Sequence, residues 1–229
     1  AIFRQRIPFV TPAFPARTPR YAIPYKNFVY VTSSDNTVNV IITTSLNIVR
    51  TITLGANPEG MAIEGNSLYV ANSGGYNAVP DSTVSVIDLN NNTETMKIRI
   101  GTKNPQKIEV NSAGDLYVSG YGNFVNIPPS VSVINSGTNA VKMEMGANFP
   151  YAFVRIFNGI AYFYNNYGGA GTSKVYNTVT NTVVRNEFIT DGTPVTTPYG
   201  INIDEQNGDV YITDAVDYQT AGKVTCFTA

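Results

Sequence analysis

Five positions in this 229-residue chain each follow a proline and carry side chains suited to recognition. Arg20, Glu59, Gln106, Tyr151 and Tyr199 come directly after Pro19, Pro58, Pro105, Pro150 and Pro198. The residues around them stay nearly constant, while these positions change charge and size. A pure packing role would favour one residue type, so the variation points to an inner ring of ligand contacts, with Tyr21 beside Arg20. The alternative is that these residues only meet solvent. A second group lies in four longer segments, SGGYNAVPD, GYGNFVNIPP, NNYGGAGT and DAVDYQTAG. They hold Tyr76, Asn77, Tyr121, Asn123, Phe124, Asn166, Tyr167, Asp217 and Tyr218. Aromatic rings supply apolar area at little rotamer cost, and amides both donate and accept hydrogen bonds. That mixture suits a neutral, hydrogen-bond-rich ligand. The competing reading is that Gly, Asn and Pro serve turn geometry and the rings cover apolar ends of the fold.

Covalent and metal chemistry finds little support. Histidine is absent, which removes imidazole acid–base catalysis, histidine-dependent triads and histidine metal ligands. The single Cys226 allows no internal disulfide and no cysteine-cluster metal site. Matched to Ile41, Ile87 and Ile134 of earlier segments, it is expected to be a buried thiol in a strand. Asp204, Glu205, Asn207 and Asp209 alternate oxygen ligands with a glycine, but the spacing departs from an EF-hand and lacks its distal Glu. Asp214 and Asp217 make a weak acid–base pair, and Gly74-Gly75 and Gly168-Gly169 precede no helix that could cradle phosphate. No cofactor and no enzymatic activity are expected. Charged residues make up 14% of the chain and the net charge is -1, so no basic face is available for nucleic acid. No apolar run reaches the 18 residues that a membrane-spanning helix needs, and no secretory leader is visible.

The elements that hold these residues are repeated. The anchor prolines are spaced by 39, 47, 45 and 48 residues. Eleven to thirteen residues after each comes a Tyr within an apolar run: Tyr30, Tyr69, Tyr117, Tyr162 and Tyr211. An alternating segment follows, as in Thr83-Val84-Ser85-Val86 and Ser130-Val131-Ser132-Val133, and then a Thr-rich strand such as Thr93 to Ile100. Each unit reads as four short β-strands, here called a to d, joined by Asn/Gly turns. Four strands in about 40–48 residues is the arithmetic of a β-propeller blade. The units run 17–56, 57–103, 104–148, 149–197 and a partial 198–229, preceded by an arm or edge strand at 1–16. From the strand-b Tyr to the first strand-c Val is 8 residues in the first unit, and 15, 14, 13 and 13 in the others. In an up-and-down blade the b–c connections and the entries to strand a share one face, so the extra length marks a binding face.

The motif NPEGMAI…LYVANSGG…TVSVIDLNNNT…KIRIG resembles the YVTN/YncE-type propeller repeat. TPRYAI and PYGINID…GDVYITDA look like a branch of Bacteroidetes cell-surface propellers that includes a lipoprotein capturing cobalamin (vitamin B12). The resemblance covers residues 17–229. It implies a cell-surface, outer-membrane-associated protein that binds a corrinoid and hands it to a TonB-dependent outer-membrane transporter. It also implies seven blades, so this chain is expected to be part of a larger ring. The alternative is that residues 1–16 supply a missing outer strand and close five blades. The expectation is an all-β propeller that binds a small molecule, against a structural, adhesive or glycan-binding surface-layer protein.

Overall fold

The computed structural model describes residues 6–9, 17–146, 149–165 and 172–228. The described residues form five antiparallel blades of a β-propeller and contain no helix. The first blade is β1 (Pro19–Tyr25), β2 (Phe28–Ser33), β3 (Thr37–Ile42) and β4 (Ile48–Thr53). The second is β5 (Pro58–Glu64), β6 (Ser67–Asn72), β7 (Thr83–Asp88) and β8 (Thr93–Arg99). The third is β9 (Pro105–Val110), β10 (Asp115–Gly120), β11 (Ser130–Asn135) and β12 (Ala140–Glu144). The fourth is β13 (Phe153–Phe157), β14 (Ile160–Asn165), β15 (Thr172–Asn177) and β16 (Thr182–Arg185). The fifth has three strands, β17 (Pro198–Ile203), β18 (Val210–Asp214) and β19 (Lys223–Phe227). Strands pair in sequence order within every blade, and the inner strands pack in series, β1 on β5, β5 on β9, β9 on β13 and β13 on β17. Five blades stand where the resemblance implied seven. The idea that residues 1–16 complete a blade falls mostly outside the described residues.

The period-2 alternation explains the packing, because successive side chains on a strand face opposite neighbours. Tyr30, Val38 and Val40 of the first blade meet Leu68, Val70 and Ile87 of the second. Tyr69, Val84 and Val86 then meet Leu116, Val118 and Ile134 of the third. The same arrangement recurs twice, with Tyr117, Val131 and Val133 against Ala161 and Phe163, and with Tyr162 and Val175 against Val210 and Ile212. The core is therefore a series of seams between blades, each formed by two faces that no blade could bury alone.

The strand register corrects the alignment of Cys226. It pairs with Tyr211 as Val133 pairs with Tyr117 and Val86 with Tyr69, so Phe227 is the counterpart of Ile87 and Ile134. Phe227 faces the fourth blade and is buried. Cys226 faces the far side of the fifth blade, which no described blade covers, and is exposed rather than buried. Val224 on the same side is exposed for the same reason, whereas its counterparts Val84 and Val131 are fully buried.

Candidate functional site

The strand-a entries and the b–c loops meet on one face, as the loop lengths implied. The chain entering each inner strand is tied to the loop beside it. The Tyr121 and Gly122 amides donate to the Asn104 and Lys103 carbonyls, and the Ser73 and Gly74 amides donate to the Asn57 and Ala56 carbonyls. These ties hold the loop rings over the mouth of the central channel. Together they border a bowl of about 550 Å³. Blades one to three contribute Arg20, Tyr21, Tyr76, Gln106, Tyr121 and Phe124. Blades four and five add Ala152, Phe153, Asn165, Tyr199 and Tyr218, with Thr196, Thr197 and Pro198 at the edge.

The bowl wall is aromatic. Tyr76 stacks on Phe124 with ring centroids 6.5 Å apart, and Phe124 leans on Tyr121 at 5.8 Å. Tyr121 meets the edge of Phe153 at 5.9 Å, and across the bowl Tyr199 meets Tyr218 at 6.3 Å. Much of this surface faces water: Tyr76 is 98% exposed, Tyr218 69%, Tyr199 68% and Phe124 55%. Exposed rings gathered around one concavity are the usual form of a recognition surface rather than of a finished core. Burial, followed by the neighbouring Tyr21, Glu59, Tyr199 and Tyr218, pushes the Tyr121 hydroxyl well above the ordinary phenol range. It remains a neutral hydrogen-bonding group at physiological pH.

Beneath the rings lies a charged floor. Arg20 Nε donates to both carboxylate oxygens of Glu59, at 3.0 and 3.1 Å. The Glu59 side chain is 9% exposed and that of Arg20 47%. The two partners shift in the same direction for different reasons. Burial raises the Glu59 pKa even though Arg20 opposes the rise, whereas the hydrogen bond to Glu59 raises Arg20. Lys107 Nζ donates to the Tyr21 hydroxyl at 2.5 Å and sits 4.1 Å from the Tyr21 ring centroid, a cation–π contact between the third and first blades. Deeper in the channel, Arg155 Nη1 donates to Glu109 at 2.7 Å and Nε to Asn202 Oδ1 at 3.0 Å, with Glu205 at 3.6 Å. That arginine is satisfied by protein on several sides.

Of the five post-proline residues, Arg20, Gln106 and Tyr199 border the bowl, and Glu59 lies in an adjoining recess of about 110 Å³ that Arg20 also lines. Tyr151 does not join them. It is buried between the third and fourth blades, against Phe149 and Phe163. The cause is a one-residue offset. The fourth blade turns from strand a to strand b through the tight pair Asn158-Gly159, as the second does through Gly65-Asn66. Counting back from Tyr162 therefore sets Tyr151 level with Pro58, and Ala152 level with Glu59. The tight turn was the sequence feature that could have found Ala152 and Phe153, both of which line the bowl.

The amides have a more local role than their composition suggested. Asn123 Oδ1 accepts from the backbone amides of Val125, Asn126 and Ile127, so it staples its own loop. Asn77 and Asn123 border a side recess of about 260 Å³ on the outer side of Tyr76 and Phe124. Asp217 caps the next turn through the Gln219 and Thr220 amides and the Thr220 hydroxyl, which hold its carboxyl below the ordinary range. Asn166 and Tyr167 lie outside the described residues. Asp214 is buried and accepts from the Thr196, Thr197 and Val216 amides, which is a structural duty rather than an acid–base one. Among the described residues no three His, Cys, Asp or Glu side chains converge as a metal site. No helix of the described residues is long and apolar enough to cross a membrane.

Solved structures share the fold at low identity. Hydrazine synthase of Kuenenia stuttgartiensis superposes with a TM-score of 0.70 at 17% identity, over 87% of this chain and 59% of that one. The computationally designed Ika8 protein matches with a TM-score of 0.65 at 14% identity, over 90% of this chain and 57% of that one. The WD40 beta propeller domain of Doa1 gives 0.63 at 13% identity, over 90% and 62%. The chain thus spans about three-fifths of the length of each. No family model and no curated protein matches the sequence. At these identities the likeness is one of fold, and the fold is a β-propeller.

Proposed function

We propose that this chain is a ligand-binding propeller whose bowl captures a small molecule, with a corrinoid as the foremost candidate. The observation that carries the reading is the concentration of exposed rings, Tyr76, Phe124, Tyr199 and Tyr218, around a single 550 Å³ concavity on the long-loop face. Binding there needs no covalent step. Flat apolar contact with the rings supplies affinity, while Arg20, Gln106 and the tyrosine hydroxyls fix orientation. A corrinoid exceeds the bowl in size and would rest partly on the side recess lined by Asn77 and Asn123. The same reading places the protein at a bacterial cell surface, where it passes its ligand to a TonB-dependent outer-membrane transporter. That part rests on the repeat motifs alone.

The test is direct. The protein is mixed with cyanocobalamin, desalted, and its visible spectrum recorded. Retention of the corrin absorbance with the protein, lost on Phe124→Ala, supports the proposal. A colourless protein overturns the corrinoid assignment, and a glycan array then asks whether the face serves adhesion instead.

A further inference from the structure

Arg20 differs from the other charged groups of the channel. Among the described residues it uses only Nε, on Glu59, and neither Nη1 nor Nη2 donates a hydrogen bond. Arg155 by contrast spends both Nη atoms and Nε on Glu109, Glu205 and Asn202. Among the described residues Arg20 is the one charged side chain that lines the bowl, and no acidic side chain lines it. Glu59 lies below, nearly buried, where it fixes the guanidinium from one side and leaves the other to the cavity. Lys107, which donates to the Tyr21 hydroxyl, is a second cation close enough to act on the Glu59 carboxylate. The planar fork of a guanidinium matches a carboxylate, sulfonate or phosphate oxygen pair.

We infer that the bowl selects a ligand carrying an anionic group beside a flat apolar body, with the anion held by the Nη atoms of Arg20 and the body against Tyr76, Phe124, Tyr199 and Tyr218. The inference rests on the bowl being a binding site and adds the charge of its ligand. It revises the expectation of a neutral ligand that the loop amides suggested, since Asn123 serves its own loop. Glu59 is a positioning residue here.

A pair of fluorescent probes tests it. 8-Anilinonaphthalene-1-sulfonate is anionic, and N-phenyl-1-naphthylamine has the same aromatic body without the sulfonate. Each is titrated into the folded protein, and the ratio of their affinities is the readout. The wild type is expected to prefer the sulfonate by on the order of tenfold, as for a hydrogen bond to a charged group. Arg20→Gln should bring the ratio near one, and Arg20→Lys should restore part of it. Removing Arg20 leaves the buried Glu59 carboxylate uncompensated, so the double variant Arg20→Gln with Glu59→Gln is measured beside it. Phe124→Ala should weaken both probes and leave the ratio, which places them in the bowl. Saturable binding of both probes with a ratio that Arg20→Gln does not change overturns the anion site while the bowl stands. Failure of the sulfonate probe to saturate, or indifference of its binding to Phe124→Ala, overturns the bowl and the anion site with it.

Discussion

The strand-b tyrosines permit a sharp test of how the seams are held, because three nearly identical side chains differ in one hydrogen bond. Tyr30 donates to Asn92 Oδ1 of the next blade at 2.5 Å. Tyr69 donates to Asn139 Oδ1 at 2.8 Å and to the Ser136 carbonyl at 3.2 Å. Tyr117 occupies the same place in the third blade, but its hydroxyl is buried and makes no hydrogen bond among the described residues. The corresponding asparagine, Asn181, accepts instead from Tyr176 at 3.5 Å. Tyr69→Phe removes a made bond to half-buried acceptors, at a cost of about 1 kcal/mol. For a chain of this size that lowers Tm by about 2–4 °C per kcal/mol. Tyr117→Phe removes a hydroxyl whose burial is uncompensated, and relief of about 1 kcal/mol should raise Tm by a similar increment. The two variants remove the same atom, so side-chain volume cancels between them. Thermal melts followed by circular dichroism, with urea titrations as a second measure, give both signs. A Tm drop for Tyr117→Phe equal to that of Tyr69→Phe would show that the third hydroxyl has a partner and would refute this account.

Three further outcomes follow from single contacts. A Cβ on Gly60 would lie 2.4 Å from the Gln106 carbonyl oxygen, whereas one on Gly65 meets nothing within 4 Å but must adopt a φ of 59°. Gly60→Ala should therefore cost about 2–3 kcal/mol by overpacking the axis, and Gly65→Ala about 1 kcal/mol of backbone strain, with urea midpoints deciding the order. Burial raises the Glu59 pKa, so the folded state holds that proton more tightly than the unfolded chain. Its contribution to stability is fully present below the ordinary carboxyl pKa and is lost as pH rises through the raised value. Glu59→Gln should remove that part of the decline, and an unchanged pH profile would count against it. Cys226 should react fully with Ellman's reagent in the native protein, and protection until urea is added would contradict its exposed position.

Much of the fold is legible in the sequence. The period-2 runs around Tyr30, Tyr69, Tyr117 and Tyr162 fix strands whose two faces are both apolar, and such strands must be covered on both sides. Loop length likewise identified the face that holds Tyr76, Tyr121, Phe124 and Tyr218. Two misplacements came from counting along the chain where spatial register decides. Pro150 stands one residue out of step, which sent Tyr151 to the ring and hid Ala152 and Phe153. Cys226 falls level with Val86 and Val133 rather than with Ile87 and Ile134, and its exposure depends on the flank of the fifth blade that no described blade covers.

The sequence alone determined the repeat, the strand alternation and the face with the long loops, because each is set by local periodicity and by turn chemistry. Only the tertiary structure decided which side chains share a bowl, because Arg20, Glu59, Tyr121 and Tyr199 come from four different blades. It alone also separated Arg20, whose Nη atoms donate no hydrogen bond among the described residues, from Arg155, whose guanidinium is met by its neighbours. Both residues read as one arginine near a strand start. Partner groups from other blades set their difference, and no spacing along the chain encodes it.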